Sequence, residues 1–150
     1  MPEEELDREE KLSPILYNQI KVQQLSKTCP SGDQIWQTGF FIMHDAIADG
    51  GERPYFPHVF LFVDENSELI IHFAMSHPAR YKQDFINALL EAVEKTGSRP
   101  REIRFTEEML VEMAQPVLQE LEIRSSVLEE EAAVDRIFEG MIEAAMQHKD

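Results

Sequence analysis

The chain has 150 residues, with 14 Lys and Arg against 29 Asp and Glu, and carries a formal charge of −15 at pH 7. That length suits one domain with a sizeable core, and a hydrophobic fraction of 43% is that of a folded chain rather than a disordered one. A surface of this sign repels phosphate backbones and anionic lipid, so a protein partner, preferably basic, is expected and nucleic acid is not.

The opening MPEEELDREEK is almost wholly charged. From Leu12, the spacing of Ile15, Leu16, Ile20, Val22 and Leu25 predicts an amphipathic helix, with Pro14 near its start. Cys29-Pro30-Ser31-Gly32-Asp33 reads as a stop followed by a turn. Cys29 is the only cysteine, which rules out an internal disulfide and a thiolate metal cluster within this chain. No basic leader precedes an apolar run and no apolar run is long enough for a bilayer, so a cytoplasmic location is expected.

Residues 35–43, IWQTGFFIM, form the first predicted strand, with Ile35, Gln37 and Gly39 on one face and Trp36, Thr38 and Phe40 on the other. Residues 44–57 contain Asp45, Asp49, Gly50, Gly51 and Pro54 and read as a long loop. HVFLFV (58–63), turn formers at 64–67 and ELIIHFAM (68–75) make the clearest hairpin, and their apolar runs predict a sheet buried on both faces. Pro78 fits the first turn of a helix whose stripe is Tyr81, Phe85, Ala88, Leu89, Ala92 and Val93, with Gly97 as its stop. REIRF (101–105) is the next strand, and Thr106 is placed to cap a helix that Pro116 should kink. EIRSSVL (122–128) reads as a polar edge strand. Residues 129–148 form a last helix with Val134, Ile137, Phe138, Met141, Ile142 and Ala145 inward. Two strand–helix–strand crossovers require parallel strands, whereas the opening hairpin is antiparallel. The expected fold is therefore α/β, a mixed sheet of about five strands covered by helices, preceded by an extra N-terminal helix.

Four stretches in order, Trp36-Gln37-Thr38-Gly39, FLFVDENSELIIHFAM, RPREIRFTEE and AAVDRIF, resemble the ribonuclease H-like fold and specifically the integrase and transposase catalytic core. The resemblance runs over residues 35–142. It implies a ribonuclease H-like α/β domain at 35–150, with residues 1–34 as an acidic extension and helix packed on it. Enzymes of that family bind two Mg²⁺ ions through convergent carboxylates. Carried onto this chain, their first acid falls on Gly39, their second on Thr106 or Glu107, and their third on Asp135. Arg53-Pro54-Tyr55-Phe56-Pro57, before an apolar strand, is also similar to a bacterial domain family of unknown function.

Two function classes follow. The first is a non-catalytic protein-interaction or regulatory domain, with Tyr55 and Phe56 beside the 44–57 loop as its contact and no cofactor. The second is a metal-dependent phosphodiesterase with displaced ligands Asp64, Glu107 and Asp135, requiring Mg²⁺ or Mn²⁺. Other candidates read as ordinary structure. Asp64, Glu65 and Glu68 form a solvated turn. His58 and His72 are near cross-strand neighbours without the spacing of a metal site. Arg99, Arg101 and Arg104 make surface salt links. His77, Arg80 and Lys82 lack a glycine-rich loop that would hold a nucleotide. No serine has a nucleophile-elbow context.

Overall fold

A computed structural model describes residues 19–43, 53–129 and 132–147, with side chains through residue 144. The expectations for Leu12, Pro14, Ile15 and Leu16, for loop residues 44–52 and for the Ala145 side chain lie outside what is described. The chain is helical over residues 19–28 (α1). There follow β1 (Ile35–Ile42), β2 (His58–Asp64), β3 (Ile70–Ser76), a 3-10 turn (Pro78–Arg80), α2 (Tyr81–Thr96), β4 (Glu102–Phe105), α3 (Glu108–Glu120), β5 (Arg124–Val127) and α4 (Ala133–Gln147). The strands form one sheet in the order β3-β2-β1-β4-β5. β3, β2 and β1 run antiparallel to their neighbours, while β1, β4 and β5 are parallel. This is the expected mixed α/β sheet.

Alternation along the strands divides the interior in two. Trp36, Phe60, Phe62, Ile103 and Phe105 point into a core completed by α1, α2 and α3. Val59, Leu61 and Val63 point the other way, under Val134 and Phe138 of α4. Every residue from Val59 to Val63 is 0% exposed, so β2 is covered on both faces. Each such aliphatic or aromatic side chain contributes about 1.5–3 kcal/mol on burial. Val22 and Leu25 tie α1 into the first core, whereas Ile20 is exposed and leaves the expected stripe.

β3 departs from expectation. Its apolar run predicts burial on both faces, yet Ile70, Phe73 and Met75 are exposed, because α4 lies over β1 and β2 and stops short of the edge. The strand also begins at Ile70 rather than Glu68, which takes the left-handed conformation (φ 59°) that turns the chain. His58 and His72 are not neighbours, since His58 lies opposite Ser76 and His72 opposite Phe62.

Local signals fix the helix ends. His77 Nδ1 accepts from the Ala79 N–H (3.0 Å) ahead of Pro78 and α2. Gly97 (φ 73°) closes α2, its N–H donating to the Val93 carbonyl (2.9 Å). The N-cap of α3 is Glu107 rather than Thr106, and the helix runs through Pro116 without a break.

Arg99 is not a surface salt link. Its Nε donates to the Cys29 carbonyl (2.9 Å) and its Nη1 to the Leu121 carbonyl (2.7 Å), at the ends of α1 and α3. A cation there satisfies carbonyls that have no intrahelical partner. Arg99→Met is expected to destabilise the fold by about 2 kcal/mol, read as a lower urea midpoint, because two carbonyls lose a charged donor together.

Candidate functional site

The C-terminal ends of the parallel strands meet α4 at a groove of about 540 Å³, lined in part by Phe41, Thr106, Glu107, Glu129, Asp135 and Glu139. Gly39 sits mid-strand in β1, opposite Leu61. Beside it β4 is followed by Thr106, whose N–H donates to the Thr38 carbonyl (3.1 Å). A Cβ built on Gly39 would stand 2.8 Å from the Phe41 ring and 3.1 Å from Thr106 Cγ2. The Phe41 ring stacks on Phe138 of α4, with centroids 4.2 Å apart and planes within 9°. The Phe41 ring, backed by Phe138, therefore occupies the space beside Gly39 into which a side chain at position 39 would project.

The sequence left the second acid position between Thr106 and Glu107; the residue in contact range of Gly39 is Thr106. Asp135 caps its own helix, its Oδ2 accepting from the Ala132 N–H (3.0 Å). Asp64 does not join Glu107 and Asp135. It lies opposite Trp36 in β2, and its Oδ2 accepts from the Ser67 hydroxyl (2.7 Å) in the hairpin turn. Trp36 belongs to the core on the far side of the sheet from α4. The expected trio thus reduces to Glu107 and Asp135, and the sequence reading missed Glu129 and Glu139. The four-residue spacing of Asp135 and Glu139 on one helix was the available signal. Among the described residues no group of three or more His, Cys, Asp or Glu could hold a metal ion.

A second, polar cleft of about 740 Å³ opens at the other end of the same face. Gln37, 6% exposed, donates to Glu65 Oε1 (2.9 Å) and accepts the Val134 N–H at the start of α4 (3.1 Å). Arg104 Nη1 donates to the same Glu65 oxygen (2.7 Å), and its Nε donates to Glu102 Oε2 (2.7 Å). The hydrogen bond from Arg104 holds the Glu102 carboxyl below its ordinary pKa. Glu65, read from sequence as part of a solvated turn, is instead the centre of this chain. Arg104 is committed to two carboxylates and is no free phosphate ligand.

A third cluster lies where β2 begins. The His58 ring meets Phe40 edge-on (centroids 4.6 Å) and approaches Tyr81 (5.5 Å), and its Nδ1 is buried with no hydrogen-bond partner. Burial, and then the charge of nearby His77, push the His58 pKa down. Tyr55 packs on His77 at 4.3 Å, and Phe56 is 51% exposed.

The profile of a domain of unknown function, DUF6930, matches residues 21–142. The chain belongs to the DUF6930 family. No curated protein matches it. Among solved structures, the DUF6930 chain is similar to the HTLV-2 integrase catalytic core domain in complex with magnesium, at 18% identity and TM-score 0.51, over 77% of this chain and 69% of that one. It is also similar to the simian T-cell lymphotropic virus intasome in complex with PP2A regulatory subunit B56 gamma, at 18% identity and TM-score 0.52. That match covers 78% of this chain and 40% of that one, so the DUF6930 chain spans well under half of the intasome chain. The ribonuclease H-like, integrase-core fold expected from sequence is the fold of this protein. One expectation does not survive: an integrase core and an intasome share this fold, so net charge alone gives no ground for setting nucleic acid aside as a partner. Among the described residues no helix is long and apolar enough to cross a membrane.

Two predictions follow from the geometry of this DUF6930 domain. Gly39→Ala is expected to cost about 1–3 kcal/mol in urea unfolding, because the new methyl must displace the Phe41 ring from Phe138. In a Phe41→Leu background the same substitution should cost less. For His58, folding favours the neutral imidazole, so its contribution to stability is present above the ordinary value of 6.5 and is lost as pH falls below that value and through the lowered folded-state pKa. Thermal unfolding at a series of pH values between about 7.5 and 5 should show a steeper loss for the native chain than for His58→Phe.

Proposed function

We propose that this chain uses the ribonuclease H-like scaffold as a non-catalytic module that contacts another protein in a regulatory role. The carrying observation is the packing at Gly39, where the stacked Phe41 and Phe138 rings stand in place of a ligating side chain. Two-metal phosphoryl chemistry needs carboxylate oxygens that converge on the ions. With position 39 closed by aromatics, Asp135 spent on its own helix cap and Asp64 directed elsewhere, the residues present do not fit that ion pair. The proposed contact is Tyr55 and Phe56, with the exposed Phe56 ring offering apolar area beside the more sheltered Tyr55. Aromatic side chains are over-represented at such contacts because they bury large area at small entropic cost.

A second reading has one observation in its favour. Glu107, Glu129, Asp135 and Glu139 all line the groove at the C-terminal strand ends, where ligands of α/β sheets bind. A phosphodiesterase built on those acids would use Mg²⁺ or Mn²⁺ and would need at least three of them to converge on the ion, which as placed they do not.

One set of assays separates the readings. Labelled single- and double-stranded DNA and RNA are incubated with the purified chain and Mg²⁺ or Mn²⁺, and binding is followed on the same strands by fluorescence anisotropy. The expected result is no cleavage. Cleavage lost in Glu107→Gln and Asp135→Asn would establish the second reading and remove the first. Affinity capture with the native chain and with Tyr55→Ala/Phe56→Ala then tests the contact. Captured protein should fall in the double variant while its thermal midpoint is unchanged, and equal capture would remove Tyr55 and Phe56 from the proposal.

A further inference from the structure

Natural edge strands are protected from pairing by lysines, prolines, short length or cover from another element. β5, at one edge of this sheet, is four residues long and polar. β3, at the other, is seven residues long, reads IIHFAMS, and contains neither proline nor lysine. Among the described residues no strand pairs with its outer side. On the α4 face of the sheet Phe73 is 38% exposed, Met75 47% and Ile70 47%, beside the buried Leu61, Val59 and Val63 of β2. Among the described residues, no helix covers the continuation of the α4 apolar layer to the sheet edge.

The charges at the two ends of β3 decide what fits there. Its N-terminal end follows a turn bearing Asp64, Glu65 and Glu68. Glu65 is held by Arg104 and Glu68 meets the exposed Arg136 at 3.0 Å, so three carboxylates face two guanidiniums and the turn stays net acidic. Its C-terminal end leads into His77, Arg80 and Lys82, with Arg80 and Lys82 exposed. A strand with an acidic start and a basic finish is complementary to itself when laid antiparallel. An isologous two-fold pairing sets the acidic turn of each copy beside the basic end of the other. Side chains agree with this arrangement. A register shift at Phe62/Val63 leaves His72–Ser76 as the regular part of β3. A two-fold axis at Ala74, the middle of that stretch, lays Phe73 of each copy across from Met75 of the other. Both residues lie on the α4 face, so two aromatic–thioether contacts form and four half-exposed apolar side chains leave water.

We propose that this chain self-associates as a two-fold dimer through antiparallel β3–β3 pairing, giving one continuous ten-stranded sheet across two copies of the five-stranded one. The occupant of the edge is a second copy of this chain. Tyr55 and Phe56 lie outside β3, although Tyr55 packs on His77 just beyond its end. Dimerisation is read from sedimentation of the purified chain and partner contact from affinity capture, so the failure of one is distinguishable from the failure of the other.

Sedimentation velocity of the full chain over a range of micromolar concentrations tests the proposal. The native chain should show a concentration-dependent monomer–dimer equilibrium. Met75→Lys should raise the dimer dissociation constant on the order of a hundredfold, because two ammonium groups would be buried against aromatic rings. Its far-UV circular dichroism should be unchanged, since Met75 is half-exposed in the monomer. Arg80→Glu, outside the strand, should weaken the dimer roughly fivefold, and combining it with Glu68→Arg should restore it relative to Glu68→Arg alone. That single variant is the needed reference because it also removes the surface ion pair with Arg136. A native chain that stays monomeric throughout would overturn the proposal and assign the edge to another partner. So would a dimer indifferent to Met75→Lys and Arg80→Glu. If Met75→Lys fails to fold, the Arg80/Glu68 exchange still decides: rescue supports the pairing, and its absence sinks it.

Discussion

The burial of β2 on both faces is the constraint from which the architecture follows. Five consecutive residues, Val59 to Val63, are closed to solvent, and a strand of that kind has no stable place in a sheet covered on one side. Alternate side chains demand two separate apolar layers, one built from α1, α2 and α3 and the other from α4. The parallel pairing of β1 with β4 and β5 then supplies the crossovers that carry α2 and α3 to one side. α4, the last element, is left to cover the opposite face.

The first two turns of α4 are fastened by unlike interactions. At the start of the helix, polar groups do the holding: Glu102, Arg104 and Glu65 orient Gln37, whose amide oxygen takes a backbone N–H of the first turn. A helix end of this kind leaves donors without partners, and a buried side chain from a neighbouring strand satisfies one of them. One turn further on, Phe138 stacks on Phe41 over Gly39. The same contact that seats the helix fills the space beside Gly39.

Because α4 is narrow and lies over β1 and β2, the sheet ends in an apolar strip on β3. His72 at its other face is occupied by Glu91 of α2 (2.9 Å). Exposed apolar area of this sort, beside a backbone edge that no described strand pairs, is the feature most readily recruited for association. The acidic total charge of the chain hides it, since the charges nearest β3 are of both signs and arranged end to end.

Much of the fold was legible in order and spacing. The two-residue and three-to-four-residue periods located the strands and helices, Pro78 and Gly97 marked the limits of α2, and the crossovers required the mixed sheet. These signals are local, and the backbone responds to them locally. The vacancy at position 39 was likewise visible, because glycine has no side chain in any fold. What filled it was not. That Phe41 turns over Gly39 and meets Phe138, ninety-seven residues later by numbering (138 − 41), depends on how α4 lands on the sheet. The same holds for Arg99 between two helix ends, for Glu65 drawn out of its turn by Arg104, and for β3 lying beyond the reach of α4. Composition and periodicity determined which segments are strands and helices and which side of each is apolar. Only the tertiary structure decided which apolar sides are covered and which polar atoms meet, because those outcomes are set by the distances between elements far apart in the chain.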